Sequence, residues 1–179
     1  DCYAGSSYSQ FAWIYINNAA TSKNFANYSS ISRCVTENSG YYVLYLSRGK
    51  SYCPSINMSM NKCQRRIILC DPYNDPNNII SSLSYSTFAD NIATGYTCIW
   101  LNTGGAKFEI KSCNILRNTQ GTLGTQGTIY TSGNLMIEDS CILENNANCI
   151  FYQTSSSYTI TVSNCTVDKT TSYRSFKIQ

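Results

Sequence analysis

The apolar positions of the chain come in short bursts. Seven of them, "IYI" at 14–16, "LYL" at 44–46, "IIL" at 67–69, "IWL" at 99–101, "IYT" at 129–131, "IFY" at 150–152 and "FKI" at 176–178, are separated by stretches of Gly, Ser, Asn and Thr. Alternation over so few residues, rich in Ile and aromatic side chains and bounded by turn formers, is the pattern of strands. No amphipathic helix of about ten or more residues can be drawn anywhere in the chain.

Other segments repeat around a cysteine. "FEIKSCNILRN" at 108–118 returns as "LMIEDSCILENN" at 135–146 and as "TITVSNCTVDKT" at 159–170. Around Cys113, Ile110 precedes the sulfur, Ile115 follows it, and Asn118 closes the unit. Carried along the chain, this frame places anchors at Cys34, Cys63, Ser86, Cys113, Cys141 and Cys165, spaced 23 to 29 residues apart. A period of about 26 residues holding three short strands is one turn of a parallel β-helix, in which equivalent residues stack at roughly 4.8 Å. Six to seven rungs are therefore expected over residues 11–179, after an irregular cap over 1–10. The chain stops at "SFKIQ" within a third strand, so the solenoid is expected to continue past Gln179 or to be capped by another subunit.

In this register the cysteines occupy one inward corner as small, soft fillers. Ser86 takes the same place, which a filler can do and a metal ligand cannot. The paired spacings of zinc sites are missing, so neither metal nor cofactor is expected. Of the possible disulfides, Cys113 could bridge only to Cys141, while Cys98 and Cys149 have Thr128 between them. Cys2 and Cys53, outside the frame, are the better candidates for a bridge. The remaining column cysteines are expected as buried thiols, with a cost of about 1 to 3 kcal/mol for an unpaired hydroxyl on substitution by Ser. Asn91, Asn118 and Asn146 are expected to form an amide ladder at a second corner, ending at Thr170.

The middles of the third strands form another column, Tyr15, Tyr45, Trp100, Tyr130 and Phe151, ending in Lys177. Alternation sends these residues outward. Such a stripe is a platform for sugars or a protein, a packing interface, or a stack that stiffens the sheet.

Composition narrows the function classes. Hydrophobic residues make up 42% and charged residues 13% of the 179, with a formal net charge of +3. The chain is too apolar to be disordered, and its few cations form no basic stripe for nucleic acid. No apolar run approaches the roughly 18 residues of a membrane span. There is no histidine. Of Asp90, Glu109, Glu138, Asp139, Glu144 and Asp168, most fall at different corners rather than as the carboxylate pair that glycoside cleavage needs. The densest charged stretch, "NKCQRRIILCDPYNDP" at 61–76, where Arg65 and Arg66 precede Asp71 and Asp75, could be a site, but its Pro-Asn-Asp cluster reads more simply as a loop protruding between rungs. A Thr-based ice-binding face, suggested by "TIYTS" and "TITVS", is interrupted by the aromatic column. Three N-x-S/T sequons, at Asn27, Asn57 and Asn164, are candidate glycosylation sites.

The units "TFADNIATGYTCIW" at 87–100 and "CILENNANCIFY" at 141–152 resemble the F-x-x-N and G-G-A-I repeats of polymorphic outer-membrane proteins, and the Cys- and Asn-rich surface proteins of trichomonad-like protists. The chain departs from that pattern in having "YTCI", "QGTI" and "ANCI" in place of G-G-A-I. The resemblance implies a right-handed parallel β-helix on a cell surface or in a secreted fibre, with an adhesive role and no catalytic residue. The expected function is thus a non-enzymatic, structural or adhesive extracellular protein, partnered by itself, a larger parent protein, or host glycans or proteins. The alternative is a carbohydrate-binding module or degenerate polysaccharide lyase that uses the aromatic stripe.

Overall fold

A computed structural model describes residues 2–4, 10–36, 41–121, 126–174 and 177–178. Every described strand pairs in parallel with its equivalents one turn away, and no helix occurs among the described residues. The fold is a parallel β-solenoid with about 27 residues per turn. Each turn passes through four sheets in order rather than three. Sheet A comprises Cys2–Ala4, Cys34–Thr36, Lys62–Cys63, Ile92–Ala93 and Thr119–Gln120; sheet B comprises Gln10–Tyr15, Tyr42–Ser47, Arg66–Asp71, Thr97–Leu101, Ile129–Thr131, Phe151–Gln153 and Ser172–Tyr173. Sheet C comprises Lys23–Phe25, Lys50–Pro54, Ile79–Ser84, Lys107–Lys111, Asn134–Glu138, Ile160–Ser163 and Lys177–Ile178; sheet D comprises Ser30–Ser32, Asn57–Ser59, Thr87–Ala89, Asn114–Leu116, Cys141–Leu143 and Thr166–Val167. About five turns pass through all four sheets, and the last strands belong only to B, C and D. Sheet A escapes the sequence pattern because its later strands are two residues long and carry no apolar run. Cys2–Ala4 belongs to it, so this part of the expected irregular cap is a strand.

The interior is a stack of aliphatic and aromatic rows. Leu44, Ile68, Ile99, Ile129 and Phe151 are in register on sheet B. Leu83, Ile110, Ile137 and Val162 line up on sheet C, and Met58, Phe88, Ile115 and Ile142 on sheet D. All are buried, and each side chain removed from water stabilises the fold by about 1.5 to 3 kcal/mol.

Two corners are built alike. The residue opening each is left-handed: Ser55, Tyr85, Ser112, Asp139 and Asn164 between sheets C and D (φ 57, 52, 53, 52 and 49°), and Met60, Asp90, Arg117 and Glu144 between D and A (φ 56, 56, 51 and 59°). None is glycine, and such a conformation costs an ordinary residue about 1 kcal/mol or more. The next residue turns inward, and where its side chain is Ser, Cys or Asn it hydrogen-bonds to the backbone around it.

At the C–D corner that inward residue is Ile56, Ser86, Cys113, Ser140 and Cys165, as the flanking register shows. The expected cysteine column therefore separates into several positions. Cys113 and Cys165 share this corner with Ser86 and Ser140. Cys141 lies one residue past the corner, half-buried on sheet D opposite Asn114 and Thr166. Cys63 pairs with Ala93 on sheet A, and Cys34 sits at the D–A corner. Nor is the corner sulfur an apolar filler. The Cys113 thiol donates toward the carbonyls of Leu83 and Lys111, both at 3.3 Å, and Ser86 Oγ binds those of Cys53 (3.1 Å) and Ser84 (2.8 Å) in the same way.

At the D–A corner the inward residues are Asn61, Asn91, Asn118 and Asn145, all buried. Each Asn Oδ1 from Asn91 onward accepts both the backbone N–H and the side-chain Nδ2 of the asparagine one turn earlier, at 2.9 to 3.2 Å. The first Oδ1, of Asn61, accepts the backbone N–H of Cys34 at 3.0 Å. The remaining Nδ2 hydrogens reach the carbonyls of Ile31, Met58, Phe88 and Ile115, all at 2.8 Å. Asn146 is exposed and lies outside the ladder, where it bridges to Thr119. No ladder bond reaches Thr170, which is exposed.

Candidate functional site

The outward face of sheet B carries the aromatic column. In register it consists of Trp13, Tyr45, Leu69, Trp100, Tyr130, Tyr152 and Tyr173. Three members of the expected stripe belong elsewhere. Tyr15 is two residues along, aligned with Ser47; Phe151 is fully buried; and Lys177 lies on sheet C opposite Thr161. At Phe151 the slip arises because "IFY" offers two aromatics in adjacent positions, and the register shows that Tyr152 is the one facing out; at Tyr15 it is the residue two places earlier, Trp13, that falls in register with Tyr45.

The rings stack along the solenoid axis. Tyr130 and Tyr152 are 5.1 Å apart with planes 6° from parallel, Tyr152 and Tyr173 are 4.6 Å apart at 6°, and Trp13 and Tyr45 are 5.8 Å apart at 3°. These separations follow the rung spacing of roughly 4.8 Å. Trp100 and Tyr130 are also in contact, 4.1 Å apart but tilted by 41°, so from Trp100 to Tyr152 the ring faces are largely covered by neighbouring rings.

Leu69 interrupts the column, and a cation fills the gap. The Arg66 guanidinium lies 3.3 Å over the Trp100 ring and donates to the Tyr42 hydroxyl at 3.2 Å, while Tyr42 packs against Tyr45 at 5.0 Å. Arg66 is only 7% exposed, and burial pulls its pKa down to about 10. Its partners are aromatic, which suits a desolvated cation.

Beside this column stands Asp71. Its carboxylate accepts from the Tyr45 hydroxyl (3.3 Å), the Thr103 hydroxyl (3.4 Å) and Asn102 Nδ2 (3.5 Å), and Asn102 Oδ1 in turn accepts from Trp100 Nε1 (2.8 Å). Burial raises its pKa, against the lowering effect of those hydrogen bonds and of Arg48. The charged stretch at 61–76 is thus divided: Arg65 and Arg66 stand at one edge of sheet B, Asp71 at the other, and 72–78 forms a projecting corner.

Asp90 and Glu138, two of the scattered acids, make surface ion pairs one turn away, with Arg117 (2.7 Å) and Lys111 (3.0 Å). Among the described residues no group of three His, Cys, Asp or Glu could hold a metal. Cys53, a disulfide candidate by sequence, is a fully buried free thiol whose pKa is pushed well up by a hydrogen bond with Cys70 and by burial. The side chain of Cys2 lies outside the described residues. Cys98 aligns with Ile67 and Thr128, and Cys149 with Gly127, so these two are not equivalent positions. All three sequon asparagines, Asn27, Asn57 and Asn164, are exposed.

Fold and face together define a parallel β-solenoid braced by an internal amide ladder and an external aromatic stack. Compared with protein-family models, with curated proteins and with solved structures, the chain has no match in any of the three.

Proposed function

We propose that the chain is a non-enzymatic structural and adhesive element of an extracellular or cell-surface protein. The axial run of its two columns carries this reading, the outer one broken at Leu69, where Arg66 lies over the Trp100 ring. The Asn ladder inside and the aromatic stack outside both run along the axis, and both serve stiffness rather than a reaction centre. Asp71, on the aromatic face, is engaged by two hydroxyls and an amide, and no second acid is among its hydrogen-bond partners in the described residues, whereas glycoside cleavage needs a carboxylate pair. The hydrogen-bonding, weakly charged surface, the three exposed sequons and the likeness of the units at 87–100 and 141–152 to surface-protein repeats support an extracellular setting.

The aromatic column is less suited to sugars than a flat platform would be, because stacked rings present edges where a sugar needs a face. The test is electron microscopy of the purified chain with sedimentation over a range of concentrations. Straight rods with continuous rungs at roughly 4.8 Å support the structural reading. Compact particles of irregular outline would sink it.

A further inference from the structure

The corners between sheets B and C differ in length. Residues 72–78, 102–106 and 154–159 separate the two sheets in three turns, whereas 132–133 alone do so in another. That short corner is tight: a Cβ on Gly133 would overlap the Ala106 carbonyl. The 72–78 corner is followed by one extra residue at the entry of its strand, where the register shifts between Ile79 and Ser81. The result is a groove of about 780 Å³ over the leading edge of sheet C, with Asn77 and Asn78 on one side and Thr159 on the other.

Lys50 and Lys107 line it and, among the described residues, no carboxylate does; the acid bordering it is Glu109, on the outward side of the same strand as Lys107 and in register with Met136. Lys107 is exposed and spends one donor on the Asn77 carbonyl at 3.2 Å, leaving two others. Lys23 is paired directly with Lys50 on the neighbouring strand. Like charges so placed repel, and a counter-anion relieves them. The nearby Asp75, whose charge Lys50 also feels, is turned to its own corner, where it accepts from the Asn77 and Asn78 backbone and from Asn78 Nδ2. Asn134 and Thr161 add donors that can also accept, and Met136 adds an apolar patch. The strands beneath are paired on both sides, so an extended peptide finds no free edge to join.

We infer that this groove binds an acidic oligosaccharide, lying along the solenoid axis with its carboxylate or sulfate groups on Lys50 and Lys107. Uronate and sulfated sugars share the required chemistry, an anion set among hydroxyls with an apolar ring face. The inference rests on the adhesive part of the proposed function and gives it a site.

The test is calorimetric titration of the whole chain with tetragalacturonate, its full methyl ester, a sulfated tetrasaccharide and tetraglutamate. An acidic sugar should bind about tenfold or more tightly than the neutral ester, the worth of one charge-assisted contact. Lys50→Gln/Lys107→Gln should bring the acid down to the level of the ester, while Lys62→Gln on sheet A leaves it unchanged. Tighter binding of the uronate or of the sulfated sugar identifies the natural anion. Equal binding of acid and ester, or full retention in the double variant with an unchanged circular dichroism spectrum, overturns the proposal. Equally tight tetraglutamate overturns the sugar assignment. Rods that form but bind no acidic sugar would defeat this inference and leave the scaffold standing.

Discussion

The side-chain Nδ2 of Asn91 donates to Oδ1 of Asn118 one turn on, at 2.9 Å, and the same oxygen also accepts the backbone N–H of Asn91 at 3.2 Å. One amide thus satisfies two buried donors of its neighbour, and the unit repeats along the corner.

Asn118→Leu removes that acceptor and strands donors and carbonyls on both sides. Its expected cost is about 3 to 5 kcal/mol, the range for breaking a buried network. Asn146→Ala, one residue outside the ladder, should stay within about 0.5 kcal/mol. Urea unfolding of both variants is the check, and equal destabilisation would count against the ladder.

Cys113→Ser should be close to neutral, within about 1 kcal/mol, because the hydroxyls of Ser86 and Ser140 already occupy equivalent corners and each donates to the carbonyl two residues back, as the Cys113 thiol does. The sequence-based cost of an unpaired hydroxyl does not apply there. Cys98→Ser, at a buried position whose neighbours in register include Ile67, should cost about 1 to 3 kcal/mol. Thermal melts of the two variants would expose the reverse order, if that is what holds.

Burial raises the thiols of Cys63 and Cys113 from the ordinary 9.0 to about 12 and about 11. Their stabilising contribution is complete below the unfolded value, and it falls as pH rises toward the folded values because only the unfolded chain releases those protons. Stability should drop above pH 9.0 by up to about 1.4 kcal/mol per thiol per pH unit. Tyr42, Tyr45 and Tyr130, also raised by burial, act in the same direction from 10.0 upward; Arg66, lowered to about 10, opposes them only above that value. Urea titrations between about pH 8 and pH 10 measure the slope, and a flat profile would contradict it.

Tyr130→Ala opens the aromatic column between Trp100 and Tyr152. A loss of about 2 to 4 kcal/mol is expected, together with a weaker near-ultraviolet circular dichroism signal. Trp13, 54% exposed, should tolerate the same change within about 1 kcal/mol. Binding of neutral sugars that disappears with Tyr130 would restore the platform reading.

Secretion from a eukaryotic host should attach glycans to the exposed asparagines of the sequons. The mass excess should vanish in Asn27→Gln/Asn57→Gln/Asn164→Gln or after treatment with an amidase that removes N-glycans. An unmodified wild-type mass would be the negative result.

The repeating frame was legible because strands C and D alternate cleanly around their corner. Counted from Ser86 and Cys113, the position five residues on is Asn91 and Asn118, both in the ladder. The rule failed where sulfur was given precedence. Ser140 and Cys141 are adjacent, and choosing Cys141 moved the partner from Asn145 to Asn146. The same frame started at Ile56 gives Asn61, which an anchor at Cys63 concealed. One residue of slip exchanges inside for outside, which also explains Phe151 and Tyr152. The groove on sheet C could not be read at all, since it depends on unequal corners and on lysines from different turns.

Because every sheet pairs in parallel from one turn to the next, the backbone hydrogen bonds run along the axis and resist tension one coil at a time. Pulled lengthwise, the chain should yield as a ratchet rather than as a single block. Each step should release about 27 residues, or about 90 Å of extended chain. Turns braced by consecutive asparagines should hold to higher force than the last strands, which lie past Asn145. The described turns would then act as a graded tether, stiff where the asparagines run and quicker to give past Asn145.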